Sequence, residues 1–298
     1  AHDFRISVNN HTYSDVLIFP FGYANNTLTP DSSQFTRYAE LMAHCDGFGY
    51  GTPNQTVGYV GNGTIDDWLY VDTITRNKVL SFTPEAGAAA DGFWPTQSRI
   101  LPICRNTMDQ NFYAAKLIAV YGEAKSKDQL FVYDASYTTK AHYDMTRLGM
   151  EPGSFTVSIT PLSANITAVG SPKIYGNLNL LQTIADSISF TVISSINTGD
   201  LVSYAVTVSN GGYTVGDTIN RYWGQAVTAF ADACDALAPN WTSTTWGVST
   251  STYVSATGSL TESTSGLYPN NSTRTITTVN NVDLTDAIAA QMTFDAKW

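Results

Sequence analysis

Apolar and polar residues alternate at the start of the chain. In "FRISVN" (residues 4–9) every second residue is apolar, the two-residue period of a strand with one face in a core. A short apolar run follows at residues 16–19, and a Pro-Phe-Gly turn ends it. We therefore expect His11, between the two runs, to lie at a strand end on the rim of a sheet. A hydrogen-bonded structural histidine is the simplest interpretation of such a position.

A helical period follows over residues 32–45. Asp31 is the predicted N-cap, Gln34 can complete a capping box, and Gly47 lies just past the predicted end. The pattern places five residues on one buried face: Phe35, Tyr38, Leu41, Met42 and Cys45. We expect Cys45 to be a buried free thiol.

Two more elements complete a predicted α/β unit over residues 1–123. The stretch "KVLSFTPE" (residues 78–85) has the β-branched and aromatic content of a strand inside a sheet. The stretch "NTMDQNFYAAKLIAVYG" predicts a helix of about four turns that is capped by Asn106 and ends at Gly122.

The pattern then changes to short alternating runs separated by Gly, Asn, Asp and Pro. "SFTVSITPL", "SISFTVIS" and "LVSYAVTVS" predict an antiparallel β-sandwich over residues 124–230. A new rhythm over residues 231–298 predicts the first strands of another all-β module. The chain opens on "AHDFRISV" without Met and closes on "MTFDAKW" inside a predicted strand, so we expect both ends to be cut from a longer protein.

Composition narrows the function classes. The 298 residues are enough for two or three domains, and 43% hydrophobic and 12% aromatic residues exclude general disorder. The net charge of −10 argues against a nucleic-acid partner, because phosphate binding needs clustered Lys and Arg. No apolar run reaches the roughly 18 residues of a membrane span. Only 13% of residues are charged, while Ser, Thr and Asn are abundant, which is typical of extracellular β proteins.

The three cysteines predict no disulfide framework. Their number is odd, and no CxxC pair indicates a zinc or redox site. A bridge between Cys45 and Cys104 is the less favoured alternative to free thiols.

Polar groups at three places in the first unit are candidates for chemistry. They are His11, the Gly-rich loop from Tyr59 to Trp68, and Glu85, which closes an apolar strand where a carboxylate is costly unless it is paired or functional. The simpler alternative is that Glu85 faces solvent. "GYVGNG" is a poor dinucleotide fingerprint because no strand precedes it. Asp66 and Asp67 are adjacent, so they are not an obvious acid/base pair.

Together these stretches resemble the zinc carboxypeptidase family, of the carboxypeptidase A, B and T type. "NNHTYSDVLIFPFGY" is similar to its His-Ser-Tyr segment, with Thr12 in place of Ser; "GYVGNGTIDDWLY" to its specificity loop; "LSFTPEAG" to its catalytic-glutamate strand; and "DGFWPTQSRILPICRNTMDQNFYAAKLI" to its closing segment and last helix. The resemblance covers residues 1–123 and implies a partial carboxypeptidase fold, a mixed sheet with helices.

The resemblance also implies roles for single residues. His11 would be a zinc ligand, Glu85 the general base on the zinc-bound water, and Tyr59 a mobile residue that closes over the substrate. Thr12 and Tyr13 would contact the substrate. The family's other zinc ligands come from an upstream His-x-x-Glu motif, which this chain does not contain. We therefore expect the chain alone to bind zinc weakly and to hydrolyse no peptide.

Asp66 aligns with the family position at the base of the substrate side-chain pocket. Carboxypeptidase B, which takes basic residues, has Asp there, and carboxypeptidase A, which takes apolar ones, has Ile. The resemblance therefore implies a preference for C-terminal Lys or Arg. The alternative is that Asp66 is an exposed loop residue, in which case a shift by one position would exchange its role with that of Asp67.

The later regions resemble accessory modules of large secreted bacterial peptidases. The resemblance implies an immunoglobulin-like module over residues 124–230 and part of a jelly roll over residues 231–298, acting as spacers, stability partners, or binders of carbohydrate or protein. The leading hypothesis is thus a fragment of a secreted, extracellular zinc carboxypeptidase that acts on peptides or proteins. The alternative is a secreted non-catalytic binding or adhesion protein with a degenerate peptidase region. A glycosidase with paired carboxylates is a remote third interpretation.

Overall fold

The computed structural model describes residues 3–264, 266 and 272–297. Residues 1, 2, 265, 267–271 and 298, which belong to the predicted α/β unit and to the predicted jelly roll, lie outside the described residues. Over the described residues the fold is a mixed α/β region followed by a β-rich region, in agreement with the predicted order of classes.

A four-stranded mixed sheet carries the first region. Its strands are β1 (Ile6–Val8), β2 (Val16–Ile18), β3 (Gly49–Gly51) and β4 (Leu80–Glu85), in the spatial order β1-β4-β2-β3. β4 pairs with β1 in parallel and with β2 antiparallel. The strands predicted within residues 4–9 and 78–85 are confirmed.

Five helices accompany this sheet. They are α1 (Ser32–Ala43), α2 (Pro53–Thr56), α3 (Ile65–Val71), α4 (Gln97–Asn106) and α5 (Met108–Leu117). Phe35, Tyr38 and Met42 of α1 are fully buried against β2, β4 and α5, so the predicted face of this helix is confirmed over its first three turns.

The end of α1 differs from the prediction. The helix stops at Ala43, and Cys45 is exposed, as is Cys104; both thiols are free, so the predicted burial of Cys45 is wrong and no bridge forms between them. The predicted capping box is also wrong, because the side chain of Asp31 makes no cap hydrogen bond. The hydroxyl of Tyr70 donates to Asp31 Oδ2 at 2.9 Å instead.

The predicted last helix corresponds to α5, and a separate helix that was not predicted, α4, comes directly before it. α4 ends at Asn106, and Thr107 has a backbone conformation (φ −88°, ψ 0°) outside the helical region before α5 begins. α5 ends at Leu117, four residues earlier than expected, and Gly122 starts a strand. Asn106 is therefore the last residue of α4 and not a cap.

Nine strands follow: β5 (Gly122–Ser126), β6 (Phe131–Val132), β7 (Thr138–Arg147), β8 (Phe155–Pro161), β9 (Ile166–Val169), β10 (Lys173–Tyr175), β11 (Thr183–Val192), β12 (Leu201–Ser209) and β13 (Thr214–Trp223). They form a five-stranded sheet, β10-β8-β12-β13-β6, and a four-stranded sheet, β5-β7-β11-β9. Side chains of both sheets share one apolar core, which includes Tyr143, Phe155, Phe190 and Tyr204. An immunoglobulin-like topology stays a prediction.

The first core extends into the second region. Leu148, which directly follows β7, is fully buried among the first region's core residues, and Met150 and Tyr213 pack against them. The Tyr38 hydroxyl donates to the Leu148 carbonyl at 2.7 Å, and the Gly122 amide donates to the Tyr213 hydroxyl at 3.1 Å. The mixed sheet and the β-rich region are therefore in direct apolar contact.

Regular structure is sparse near the end of the chain. β14 (Trp241–Thr242) pairs with β17 (Thr277–Thr278), and β15 (Gly247–Ser249) pairs with β16 (Ser259–Thr261). A jelly roll and the boundaries proposed at residues 123/124 and 230/231 stay predictions. In the part of the chain that the structure describes, no helix is long and apolar enough to cross a membrane.

Candidate functional site

His11 and Glu85 meet at the rim of the mixed sheet. Glu85 is the last residue of β4, and His11 pairs with it in an isolated parallel bridge just beyond β1. The His11 amide donates to the Pro84 carbonyl at 2.8 Å, and the Ala86 amide donates to the His11 carbonyl at 2.9 Å. His11 Nδ1 lies 3.9 Å from Glu85 Oε1. The expected position of His11 at a strand end on the rim of a sheet is confirmed, and Glu85 lies on the same rim.

The side chain of Glu85 is mostly shielded from solvent, so the alternative of a solvent-facing side chain is wrong. Its side chain is only 14% exposed. Burial raises the pKa of the Glu85 carboxyl, and the nearby His11 ring lowers it in part. Among the described residues, no hydrogen-bond donor offsets the burial of this carboxylate. An acceptor without a donor partner is suited to take a proton from a bound molecule.

The ring of His11 is exposed to solvent. Its side chain is 54% exposed, and Nε2 lies 3.2 Å from the side-chain amide nitrogen of Asn9. With the amide in this orientation Asn9 donates and Nε2 accepts, which leaves the ring proton of the neutral form on Nδ1.

Asp66 lies deep beneath this rim. It stands in the first turn of α3, whose N-cap Thr64 accepts from the Asp67 amide at 3.3 Å. The residue is 7% exposed, and its carboxylate accepts hydrogen bonds from the hydroxyls of Ser81 and, at 2.7 Å, of Thr83. The alternative of an exposed loop residue is wrong.

Asp67 has different surroundings. Its carboxylate accepts from the Gly22 amide at 2.9 Å and 3.2 Å and from the Tyr23 amide at 3.2 Å. It therefore fixes the turn after β2 and points away from Asp66. The expectation that the two aspartates form no acid/base pair agrees with these separate partners.

Asp66 and Glu85 are connected along one face of β4. Alternate residues of a strand share a face, so Ser81, Thr83 and Glu85 point the same way. Burial raises the pKa of the Asp66 carboxyl; the hydrogen bonds from Ser81 and Thr83 lower it, and smaller charge effects come from Asp67 and His11. The site thus has one carboxylate without a hydrogen-bond donor at its rim and a second, hydroxyl-bound one at its base.

Aromatic residues border the site. Tyr13 packs edge-on against Phe93, with ring centroids 4.9 Å apart and an angle of 74° between the planes, and Thr12 is half-buried beside it. Tyr59, in the glycine-rich loop between α2 and α3, is 66% exposed. The sequence pattern did not single out Phe93, although it stands in the quoted segment after Glu85, nor Asp15, which had no signal beyond its place before β2.

The described residues do not by themselves fit a zinc ion. A catalytic zinc site takes three protein ligands and keeps one open position. Over residues 3–264, 266 and 272–297, no group of three or more His, Cys, Asp and Glu side chains could hold a metal ion. His11 and Glu85 are thus an imidazole and a carboxylate without the rest of a ligand set.

The comparisons with known proteins concern the region that holds this site. Residues 1–110 match the family model described as "Zinc carboxypeptidase". Mast cell carboxypeptidase A of Homo sapiens is 28% identical over 125 residues, 40% of this chain and 28% of its own length. The zinc carboxypeptidase of Saccharothrix mutabilis subsp. capreolus is 31% identical over 105 residues, 32% of this chain and 22% of its own length. The chain spans about a quarter of the length of these relatives.

Solved structures are also similar over part of the chain. One of them is the CsuC–CsuE chaperone–tip adhesion subunit pre-assembly complex from the Csu pili of Acinetobacter baumannii, 12% identical, covering 42% of this chain and 71% of that one. The TM-score is 0.22, which carries no argument about fold or function.

Proposed function

We propose that residues 1–123, most of which match the zinc carboxypeptidase family model, contribute Glu85 and its surroundings to the active site of a carboxypeptidase. The observation that carries this proposal is the Glu85 carboxylate, mostly shielded from solvent and without a hydrogen-bond donor among the described residues, 3.9 Å from the His11 ring. The activity belongs to the intact protein, in which Glu85 acts on peptides at their C-terminal bond.

Glu85 is the proposed general base. A carboxylate with a raised pKa accepts a proton more readily than an exposed one, and it can then pass that proton to the leaving amine. Such proton transfer contributes a factor of about 10²–10⁴ in rate. The position of Glu85 at a strand end keeps the carboxylate on the sheet, where the backbone holds it better than a loop would.

Asp66 is the proposed specificity residue. Its carboxylate lies along the same face of β4 as Glu85. Two residues along a strand span about 6.5–7 Å, so Thr83, whose hydroxyl binds Asp66, lies one such step from Glu85. A substrate Lys or Arg side chain would form a charge-assisted hydrogen bond with this carboxylate. An apolar side chain would leave the buried charge unpaired. This supports a preference for C-terminal Lys or Arg.

The remaining candidates have supporting roles in the proposal. Tyr59, on an exposed glycine-rich loop, is free to close over a bound peptide and exclude water. Thr12 and Tyr13, which follow His11 directly, contact the peptide. Zinc is the proposed metal of the intact protein, with His11 as one ligand and the others outside the described residues, so the chain as printed is expected to bind zinc weakly and to be inactive.

The test uses the intact protein and a pair of glutamate variants. We expect it to release C-terminal residues from short peptides, and Glu85→Gln to lower kcat by about 10²–10⁴, because an amide cannot accept the proton. Glu40→Gln, which changes an exposed glutamate on α1, is the matched control and should leave kcat unchanged. Release of zinc to a chelator should abolish the activity as well.

Two results would contradict the proposal. Peptide hydrolysis by Glu85→Gln at the unmodified rate would remove Glu85 as the base. An intact protein that folds and releases no C-terminal residue would favour the alternative, a binding or adhesion protein with a degenerate peptidase region. We also propose that the protein acts outside the cell, in keeping with its low content of charged residues. Binding of carbohydrate or protein by the β-rich regions stays a prediction.

A further inference from the structure

We propose that Asp15 is a positioning residue for Glu85. The proposal rests on the function proposed above, in which Glu85 is the base. Asp15 lies four residues after His11, immediately before β2, and its side chain binds the Gly87 amide rather than the His11 ring or the Glu85 carboxylate. It acts on Glu85 through the backbone.

Asp15 holds the chain on both sides of the peptide that follows Glu85. Its amide donates to the Glu85 carbonyl at 2.8 Å, and its Oδ1 accepts from the Gly87 amide at 3.1 Å. One residue therefore fixes an acceptor and a donor that are two positions apart. Since a carboxylate acceptor makes a stronger hydrogen bond than a neutral one, the Gly87 contact is the firmer kind.

The hydrogen bonds of Asp15 add to those that the His11 backbone makes with the same segment. The His11 backbone bonds to Pro84 and Ala86, and Asp15 bonds to the residues between and after them. Each of residues 84–87 is thus hydrogen-bonded to a residue of the segment 11–15. A tilt of β4 at Glu85 would break several of these bonds at once, so the segment that carries the imidazole also sets the direction of the carboxylate.

The turn after Glu85 also depends on the Asp15 carboxylate. Gly87 has φ +96°, a conformation that glycine adopts without steric cost, and the next amide, of Ala88, donates to Asp91 Oδ2 at 3.1 Å. Arg99 binds Asp91 through Nε at 2.6 Å and Nη2 at 2.8 Å. Asp15 and Asp91 therefore satisfy consecutive amides of the turn, and Asp15 is the one that connects it to the imidazole segment.

The test compares three variants of the intact protein. Asp15→Gly removes the side chain at a backbone position (φ +52°) that glycine adopts freely, so the fold is retained. We expect kcat to fall by about 10–100-fold with little change in KM, because a shift of about 1 Å in a reacting group costs on the order of 10²-fold. Asp15→Asn keeps an acceptor for the Gly87 amide and should restore kcat. Asp134→Gly, which removes an aspartate that accepts from the Ser136 amide far from the site, is the control and should keep full activity.

A double variant separates positioning from a general structural role. In the Glu85→Gln background, Asp15→Gly should lower the residual rate much less than it does in the unmodified protein, because the group that it positions is already gone. An equal fall in both backgrounds, or an Asp15→Gly enzyme with unchanged kcat, would overturn the positioning role alone.

Hydrogen exchange provides a readout that needs no activity. The Gly87 amide should exchange faster in Asp15→Gly and at the original rate in Asp15→Asn, while the amides of β4 before Glu85 stay protected. Unchanged protection of Gly87 in Asp15→Gly would overturn the proposal even in an active protein. An intact protein without carboxypeptidase activity would overturn the proposed function and, with it, the positioning role.

Discussion

Asp66 places a carboxyl group at the base of the site, and its hydrogen-bond partners there are the hydroxyls of Ser81 and Thr83. Its folded-state pKa is raised from 3.8, chiefly by burial, so the folded protein holds the proton more tightly than the unfolded chain. The carboxylate therefore lowers the free energy of unfolding as the pH rises from the ordinary Asp range through the raised pKa. Groups that destabilise a fold in this way are typical of functional sites.

Asp66→Asn should stabilise the protein at neutral pH. The amide is neutral, and the hydroxyls of Ser81 and Thr83 can donate to its oxygen or accept from its nitrogen. We expect Tm to rise at about pH 7 and to change little at about pH 4, where Asp66 itself is increasingly protonated. Thermal unfolding followed by circular dichroism at both pH values measures this. A Tm that falls at pH 7, or shifts equally at both pH values, would mean that the carboxylate is stabilising.

The same residue governs the expected substrate preference. In Asp66→Ile the charge opposite a substrate Lys or Arg is replaced by an apolar group, so kcat/KM for peptides ending in Arg should fall and that for peptides ending in Phe should rise. The measurement is the Arg/Phe ratio of kcat/KM in the intact protein. Asp217→Ile, at an exposed position of β13, serves as the control. If Phe already wins in the unmodified protein, Asp66 is not the specificity determinant.

Sequence and structure agree best where one residue's neighbours are close in the chain. The rim positions of His11 and Glu85 follow from strand ends that the alternation of apolar residues marks. The burial of Asp66 depends on Ser81 and Thr83, which are distant from it in sequence, and periodicity carries no signal for such a contact. The grip of Asp15 on the Gly87 amide is another contact of this kind.

Among the elements, β4 holds the site together, since it pairs with both β1 and β2 and ends in Glu85. Phe82, in its middle, is fully buried, with its ring centroid 5.3 Å from that of Phe35 and 6.4 Å from that of Phe19. The strand's apolar side therefore fastens the sheet to α1, while its polar side carries the candidate site.

Phe82→Ala should be strongly destabilising. Deleting a fully buried aromatic ring leaves a cavity and costs about 3–5 kcal/mol of the free energy of unfolding. Urea denaturation at equilibrium measures the loss. Phe112→Ala, on the exposed side of α5, is the matched control and should cost little. A Phe82→Ala protein as stable as the control would mean that the core around β4 repacks without a cavity.

The elements that the sequence missed have a common cause. α4 has no buried residue, so its sequence carries no buried apolar stripe that would mark it as a helix. The strand β5 begins at the glycine that would ordinarily end a helix, because its pairing with β7 decides the conformation there.

At the scale of the whole molecule, the mixed sheet and the β-rich region are joined by contacts at Leu148. Leu148 follows β7 but lies in the core of the first region; its amide donates to the Tyr121 carbonyl at 2.9 Å, and its carbonyl accepts from the Tyr38 hydroxyl at 2.7 Å. Composition and periodicity separate the two regions near residue 123, but they carry no information about side chains from one region that pack in the core of the other. The contact is a physical basis for the idea that the β-rich region acts as a stability partner.

Leu148→Ala tests whether the two regions unfold together. Truncating a fully buried Leu costs about 2–5 kcal/mol. If the regions form one cooperative unit, hydrogen exchange should become faster by a similar factor in β4, α1 and α5 and in β7 and β12, because every one of these elements opens through the same global transition. Leu162→Ala, at an exposed position after β8, is the control and should leave exchange unchanged. Should only β4, α1 and α5 lose protection while β7 and β12 keep theirs, the contact at Leu148 would join two regions that fold independently, and the β-rich region would not be a stability partner of the site.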